Sequence, residues 1–164
     1  MGAKRPKSSK QLITNTRYQK RLKEVTFYLE RSLGGRLILE ELRKAGLKVE
    51  SHSKHFRPDT QDIDWLPVVG RNGWVVLMRD QRIGKRRLEL EALLNGGVKA
   101  FVLVSGNLTS AENAAIIIKA LPKIVAIIVE NNCPFIAKVT RQSTVTIWEK
   151  RSQRSKRRKK RRHK

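Results

Sequence analysis

Three acidic residues of this chain lie close to the ends of short apolar segments. Glu30 directly follows VTFYL (25–29), and Asp80 comes two residues after GWVVLM (73–78). Asp62 lies near the start of a third segment, QDIDWLPVVG. Carboxylate oxygens are the ligands that Mg²⁺ and Mn²⁺ prefer, and such an ion can activate water and neutralise phosphate charge. The three acids therefore predict a Mg²⁺ or Mn²⁺ site for phosphodiester hydrolysis, if the fold brings them together.

Each acid also has a simpler structural interpretation. Glu30 can pair with Arg31 or lie at the N-terminus of the next helix, where a negative charge is favourable. Asp64 is a further candidate ligand, but it opens the same predicted helix as Asp62, so one of the two can be a favourable first-turn charge. Asp80 can form a turn after its strand. The residues alone leave these alternatives open.

Strand-like and helix-like segments alternate along the chain. Runs rich in β-branched and aromatic residues predict strands at 25–29, 47–52, 73–78 and 98–104. Helical spacing predicts helices at about 33–45, 61–70 and 86–95, and from about 110 onwards. The alternating segments PFIAKVT and STVTIWE (134–149) predict a hairpin or a single edge strand.

Caps and prolines refine the helix boundaries. Ser32 is the predicted N-cap of the first helix. Pro67 predicts that the next helix is short or begins late. Pro122 predicts that the apolar segment after Ser110 forms two helices rather than one.

The order of these elements predicts an α/β fold, a three-layer α/β/α sandwich with a mainly parallel central sheet. Ligands of such sheets bind outside the carboxyl ends of the strands, which is where the three acids should lie. Ser105 and Asn107 follow the fourth strand and are candidate polar site residues, or caps of the next helix.

A basic cluster adjoins Asp80 in the sequence. It consists of Arg79, Arg82, Lys85, Arg86 and Arg87. Together with Arg31, these side chains are predicted to bind the phosphates of a polynucleotide, although such a cluster is also typical of a solvated helix face.

The charge of the chain is concentrated at its two ends. Of the formal net charge of +23, residues 25–149 contribute only a small part, because 1–24 and 150–164 are rich in Lys and Arg. We expect 1–24 to be a basic extension and 150–164 to be a disordered tail, since the tail has no apolar residue to bury. Such a tail binds RNA by releasing counterions, or serves only to keep the protein soluble.

Other residue types limit the function. With a single cysteine, Cys133, the chain cannot form an internal disulfide or a cysteine-based zinc site. His52 and His55 are interpreted as loop residues, and the three tryptophans, Trp65, Trp74 and Trp148, as core residues. No phosphate-binding glycine loop or serine-hydrolase motif occurs, which argues against nucleotide-binding and serine-hydrolase activities. The absence of a signal-like or bilayer-length apolar stretch predicts a cytoplasmic protein with no membrane partner.

Four segments, read in order, resemble the PIN-like domains of VapC-type toxins: FYLERSLGG, LRKAGLKVESHSKHF, PDTQDIDWLPVVGRNGWVVLMRDQRI and GVKAFVLVSGNLT. The resemblance spans about residues 25–140 and implies a divalent-metal-dependent ribonuclease that is the toxin of a toxin–antitoxin pair. The acids that it places at the metal are Glu30, Asp62 (or its neighbour Asp64) and Asp80, with Ser105 or Asn107 nearby. The implied partners are RNA and an antitoxin protein, with a homodimer as a further expectation.

The sequence departs from this family pattern at two points. Glu30 stands where the family has Asp, and Met78-Arg79 stands where it has Thr-Lys. The longer glutamate leaves two alternatives to a ribonuclease: a non-catalytic nucleic-acid-binding protein with an impaired metal site, or a protein-interaction module.

Overall fold

The computed structural model describes residues 9–33, 35–79, 87–132 and 134–150. Within these ranges the helices are α1 Ser9–Glu24, α2 Arg36–Lys44, α3 His52–His55, α4 Asp62–Arg71, α5 Arg87–Asn95 and α6 Ser110–Glu130. The strands are β1 Thr26–Leu29, β2 Lys48–Ser51, β3 Val75–Arg79, β4 Lys99–Val104, β5 Phe135–Thr140 and β6 Val145–Lys150. No helix in the described part of the chain is long and apolar enough to cross a membrane.

The strands form one sheet in the order β2-β1-β3-β4-β5-β6. The first five are parallel, and β6 pairs antiparallel with β5. The predicted parallel sheet and C-terminal hairpin are therefore confirmed. In this order the chain leaves β1 towards β2 on one side and returns to β3 on the other, so a crevice opens between the carboxyl ends of β1 and β3.

Apolar side chains cover both faces of the sheet. Along β1, Phe27 and Leu29 point to one face and Tyr28 to the other, as the alternation of a strand requires. The first face packs against α2, α6 and Leu22 of α1, and the second packs against α4 and α5. The predicted α/β/α sandwich is confirmed.

Helices α4 and α5 lie very close to each other at two glycines. A Cβ atom on Gly70 would lie 2.2 Å from the carbonyl oxygen of Gly96, so no larger residue fits there. A Cβ atom on Gly96 would in turn lie 3.1 Å from Cβ of Leu66, so the end of α5 packs tightly against α4.

Helix α6 is one continuous element, so the predicted break at Pro122 is wrong. Proline removes one helical hydrogen bond and is costly inside a helix. Here both halves of α6 bury an apolar stripe that runs from Ile116 to Ile128, and burial on this scale outweighs one lost bond. Pro122 itself is exposed, where its ring avoids the core.

Two other helix predictions are only partly confirmed. Helix α4 spans Asp62–Arg71, close to the predicted 61–70, but it continues through Pro67, so the proline neither delays nor shortens it. Helix α2 begins at Arg36 with Gly35 as its N-cap, so Ser32 is not the cap. The Ser32 side chain is instead used at the end of β1, as described below.

Candidate active site

The carboxyl ends of β1 and β3 are joined through Ser32. The Glu30 N–H donates to the Leu77 carbonyl at 3.0 Å, which places Glu30 directly at this edge of the sheet. The Glu30 carboxylate accepts hydrogen bonds from the Ser32 N–H, at 2.8 Å, and from the Ser32 hydroxyl. The Ser32 Oγ accepts in turn from the Arg79 N–H at 3.0 Å.

These bonds give Ser32 a role that the sequence did not reveal. The hydroxyl holds Oε2 of Glu30 on one side and the last residue of β3 on the other. Oε1 takes no part in these bonds and is the oxygen that can face a ligand. No ion pair joins Glu30 to Arg31 within the described residues, so the salt-bridge interpretation of Glu30 is wrong.

Asp62 is held at the start of α4 by a tryptophan one turn further on. The Trp65 indole N–H donates to Oδ1 of Asp62 at 2.9 Å. Trp65 is 2% exposed, so its ring is fixed by the core, whereas Asp62 is half-buried at the surface. The carboxylate is therefore held by a rigid donor, and Oδ2 remains for a second partner.

The charges of Glu30 and Asp62 both affect the pKa of the buried Tyr28 hydroxyl group. Burial raises the pKa of Tyr28, and the negative charges of Glu30 and then Asp62 raise it further. Two carboxylates from separate elements thus lie within electrostatic reach of one phenol. Tyr28 stays protonated and neutral beside them.

His52 lies beneath this site and is not the loop residue that the sequence predicted. It is 6% exposed, at the start of α3, and Nδ1 lies 2.5 Å from the Tyr28 hydroxyl. Its Nε2 lies 3.2 Å from the Arg57 carbonyl, which can only accept. The neutral tautomer with the proton on Nε2 satisfies both bonds, and it ties the loop before Asp62 to β1.

His55 and the three tryptophans lie near their predicted positions, with small differences. His55 is in α3 rather than in a loop, and its Nε2 lies 2.7 Å from Glu50, whose pKa this bond lowers. Trp65 is a core residue as predicted, whereas Trp74 and Trp148 are half-buried at the edge of the core.

Of the other two predicted acids, Asp64 and Asp80, the structure describes only the first. Asp64 is exposed in the first turn of α4, and residues two apart on a helix do not face the same way, so it points away from Asp62. Asp80 lies outside the described residues. Among the residues that are described, no group of three or more His, Cys, Asp or Glu could hold a metal ion.

The polar residues after β4 make structural contacts. Ser105 is buried, and its hydroxyl donates to Oδ1 of Asn113 at 3.1 Å. Asn107 is exposed. Neither caps α6, because Thr109 is the N-cap and forms a reciprocal capping box with Glu112.

Two predicted phosphate-binding residues lie at the rim. The Arg31 guanidinium donates to the Pro58 carbonyl. Arg79 is half-buried, and its Nε atom is buried without a hydrogen-bond partner. The rest of the basic cluster is not described by the structure: Arg82, Lys85 and Arg86 lie outside it, as does the side chain of Arg87.

The two described carboxylates fit a divalent cation by their chemistry. Mg²⁺ is commonly bound by one or two carboxylates, with water and substrate phosphate completing its shell. Glu30 and Asp62 each keep one oxygen outside the bonds that fix them, and both oxygens belong to the hard type that Mg²⁺ and Mn²⁺ prefer.

Comparisons with known proteins agree with this fold. Residues 25–105, which contain β1 to β4 and both carboxylates, match the family model described as a PIN like domain. A curated relative from Mycobacterium tuberculosis (strain H37Rv), named "Putative ribonuclease VapC45", is 24% identical over 101 residues, which cover 59% of this chain and 73% of the relative. No solved structure matches the chain significantly.

Residues 25–105 of the chain belong to the PIN-like domain family. The similarity to the mycobacterial protein supports the resemblance to VapC-type sequences that the four segments carry.

Proposed function

We propose that this protein is a divalent-metal-dependent ribonuclease that hydrolyses RNA phosphodiester bonds in the cytoplasm, as the toxin of a toxin–antitoxin pair. The observation that carries the proposal is that Glu30, at the carboxyl end of β1, and Asp62, at the start of α4, both raise the pKa of the same buried residue, Tyr28. The name of the mycobacterial relative supports ribonuclease chemistry.

The residues of the chain have separate tasks in this proposal. Glu30, fixed by Ser32, and Asp62, fixed by Trp65, would hold the cation, and Asp80 would join them directly after β3. When bound, Mg²⁺ or Mn²⁺ would activate water and neutralise the charge that develops on the phosphate. The buried Nε of Arg79 would gain a partner from that phosphate.

Cleavage of single-stranded RNA, measured with Mg²⁺, with Mn²⁺ and with a chelator, tests the proposal. Asp62→Asn and Asp80→Ala should each lower the cleavage rate at least about 100-fold, since even the residues behind metal ligands contribute 10- to 100-fold. Asp64→Asn is the matched control, because it removes the same charge from the same helical turn on an exposed residue. It should cleave at nearly the wild-type rate.

The same assay separates the alternatives. If no metal raises cleavage, or if Asp62→Asn cuts as fast as Asp64→Asn, the enzyme proposal is wrong. Binding of RNA without cleavage would then favour the non-catalytic role. For the toxin role, induced expression should stop growth of the host, and Asp80→Ala should restore it; arrest that persists with Asp80→Ala would refute this role.

A further inference from the structure

A second feature lies beside Asp62. It is an open pocket of about 490 Å³ formed by Arg31, the loop that precedes α4, the first turn of α4 and Ala92 of α5. Pockets of about 300–1,000 Å³ are the size that binds small ligands. We call it the loop pocket.

The loop pocket has apolar walls. Ile63, in the first turn of α4, is 74% exposed, compared with 50% for Leu37 and 53% for Val129, the other exposed large apolar residues that the structure describes. Pro58 and Ala92 add further apolar surface. Together, Ile63, Pro58 and Ala92 give the pocket an apolar surface beside the Asp62 carboxylate, which a ligand with an apolar face could cover.

The polar groups of the loop pocket are able to form hydrogen bonds with a neutral ligand. Gln61 is the N-cap residue of α4, but its exposed side chain makes no capping hydrogen bond, so the amide, which both donates and accepts, can bind a ligand. Thr60 adds a hydroxyl. The exposed Asp59 carboxylate would repel a phosphate at this wall, whereas it can accept hydrogen bonds from the amino group of a base.

The loop that forms the pocket is held in place from three directions. The Arg57 carbonyl is tied to buried His52, the Thr60 N–H donates to that same carbonyl at 3.0 Å, and Arg31 donates to the Pro58 carbonyl. The pocket is therefore formed before any ligand binds, which lowers the entropy cost of binding.

We propose that the loop pocket is a nucleobase subsite, which takes the unpaired base next to the scissile phosphate of the RNA. Apolar contact with the faces of a base and hydrogen bonds to its edge are the usual way in which proteins recognise single-stranded RNA. This subsite proposal rests on the proposed RNA substrate. It specifies that the loop pocket binds one base of that RNA.

Nuclear magnetic resonance titrations of the full chain, with chelator present, test the subsite without any cleavage. The probes are the four ribonucleoside monophosphates, with ribose 5-phosphate as the probe that lacks a base. The Ile63 methyl and Gln61 amide signals should shift with at least one nucleotide and not with ribose 5-phosphate. Ile63→Ala should weaken that binding roughly fivefold or more, since three buried carbon atoms are lost.

Leu37→Ala is the matched control, an exposed apolar residue on α2 outside the pocket, and its binding should equal that of the wild type. Gln61→Ala is a second pocket variant, expected to change which base binds best. The subsite is refuted if ribose 5-phosphate produces the same shifts, or if Ile63→Ala binds like Leu37→Ala. Because no metal is present, base binding without RNA cleavage would support the subsite and count only against the ribonuclease proposal.

Discussion

At the residue scale, the glutamate in place of the family's aspartate is matched by the serine two positions later. A glutamate side chain has one more rotatable bond than an aspartate, which costs more entropy to fix. The Ser32 N–H and hydroxyl both bind Oε2 of Glu30, so the longer side chain is held in one position. The substitution at this position is therefore compatible with a defined metal ligand.

Replacing Ser32 by alanine tests this reading. Ser32→Ala removes the hydroxyl that bonds to Glu30 and to the Arg79 N–H, so both ends of the site should loosen. We expect Mn²⁺ affinity, measured by titration calorimetry, to fall about 10-fold, the lower end of the effect of residues behind metal ligands. Ser53→Ala, an exposed serine on α3, is the control and should bind as the wild type does. Equal affinities for the two variants would contradict the role of Ser32.

The positions of Glu30 and Asp62 could be predicted from the sequence, but the contacts that fix them could not. Acids at the ends of apolar segments indicate a strand edge, and this needs only local information. The bond from Arg79 to Ser32 joins residues 47 positions apart, and that between Tyr28 and His52 joins residues 24 apart. Contacts of this range depend on strand order, which residue types and spacing do not specify.

At the element scale, helix α6 shows that tertiary packing can override a local sequence signal. Pro122 is a strong local signal, but the burial of the stripe on either side of it decides the outcome. The start of α6 at Ser110 agrees with the prediction, but its cap does not, because Thr109 and Glu112 form the capping box where Ser105 and Asn107 were the candidates. Capping depends on which side chain reaches the first free N–H groups, and the start of a helix alone does not specify that residue.

The capping box makes the stability of α6 depend on pH. Hydrogen bonds from the Thr109 N–H and hydroxyl hold the pKa of Glu112 below its ordinary value of 4.5. A carboxyl whose pKa is lower in the folded state stabilises the fold above its unfolded pKa, and this contribution disappears as the pH falls through the folded pKa. Wild-type protein should therefore exceed Glu112→Gln in free energy of unfolding at neutral pH.

The difference between the two proteins should shrink at about pH 3, where most carboxyl groups are protonated. Urea unfolding followed by circular dichroism at both pH values measures it. Glu130→Gln, at the other end of α6, is the control for a general loss of charge and should not reproduce the pH-dependent difference. A difference between wild type and Glu112→Gln that is the same at both pH values would contradict the assignment.

At the scale of the whole molecule, the charge and the candidate chemistry are in different parts of the chain. The formal net charge is +23, yet the crevice between β1 and β3 presents carboxylates. An acidic crevice alone would repel RNA, so binding needs cations from elsewhere: the metal, the arginines at the rim, or the terminal segments. The segment 151–164, which the structure does not describe, carries ten Lys and Arg residues.

Two variants of that segment test whether it holds RNA. One ends the chain after Lys150, and the other keeps the length but replaces the ten Lys and Arg residues with Gln. For single strands each phosphate contact adds about 0.7 to the slope of log affinity against log salt, so losing ten contacts would reduce its magnitude by up to about 7. Fluorescence anisotropy with a labelled RNA at several salt concentrations gives the slope. Since the Gln variant has the same length, a loss shared by both variants identifies charge as the cause. If the salt slope and affinity of both variants equal those of the wild type, the segment does not hold RNA.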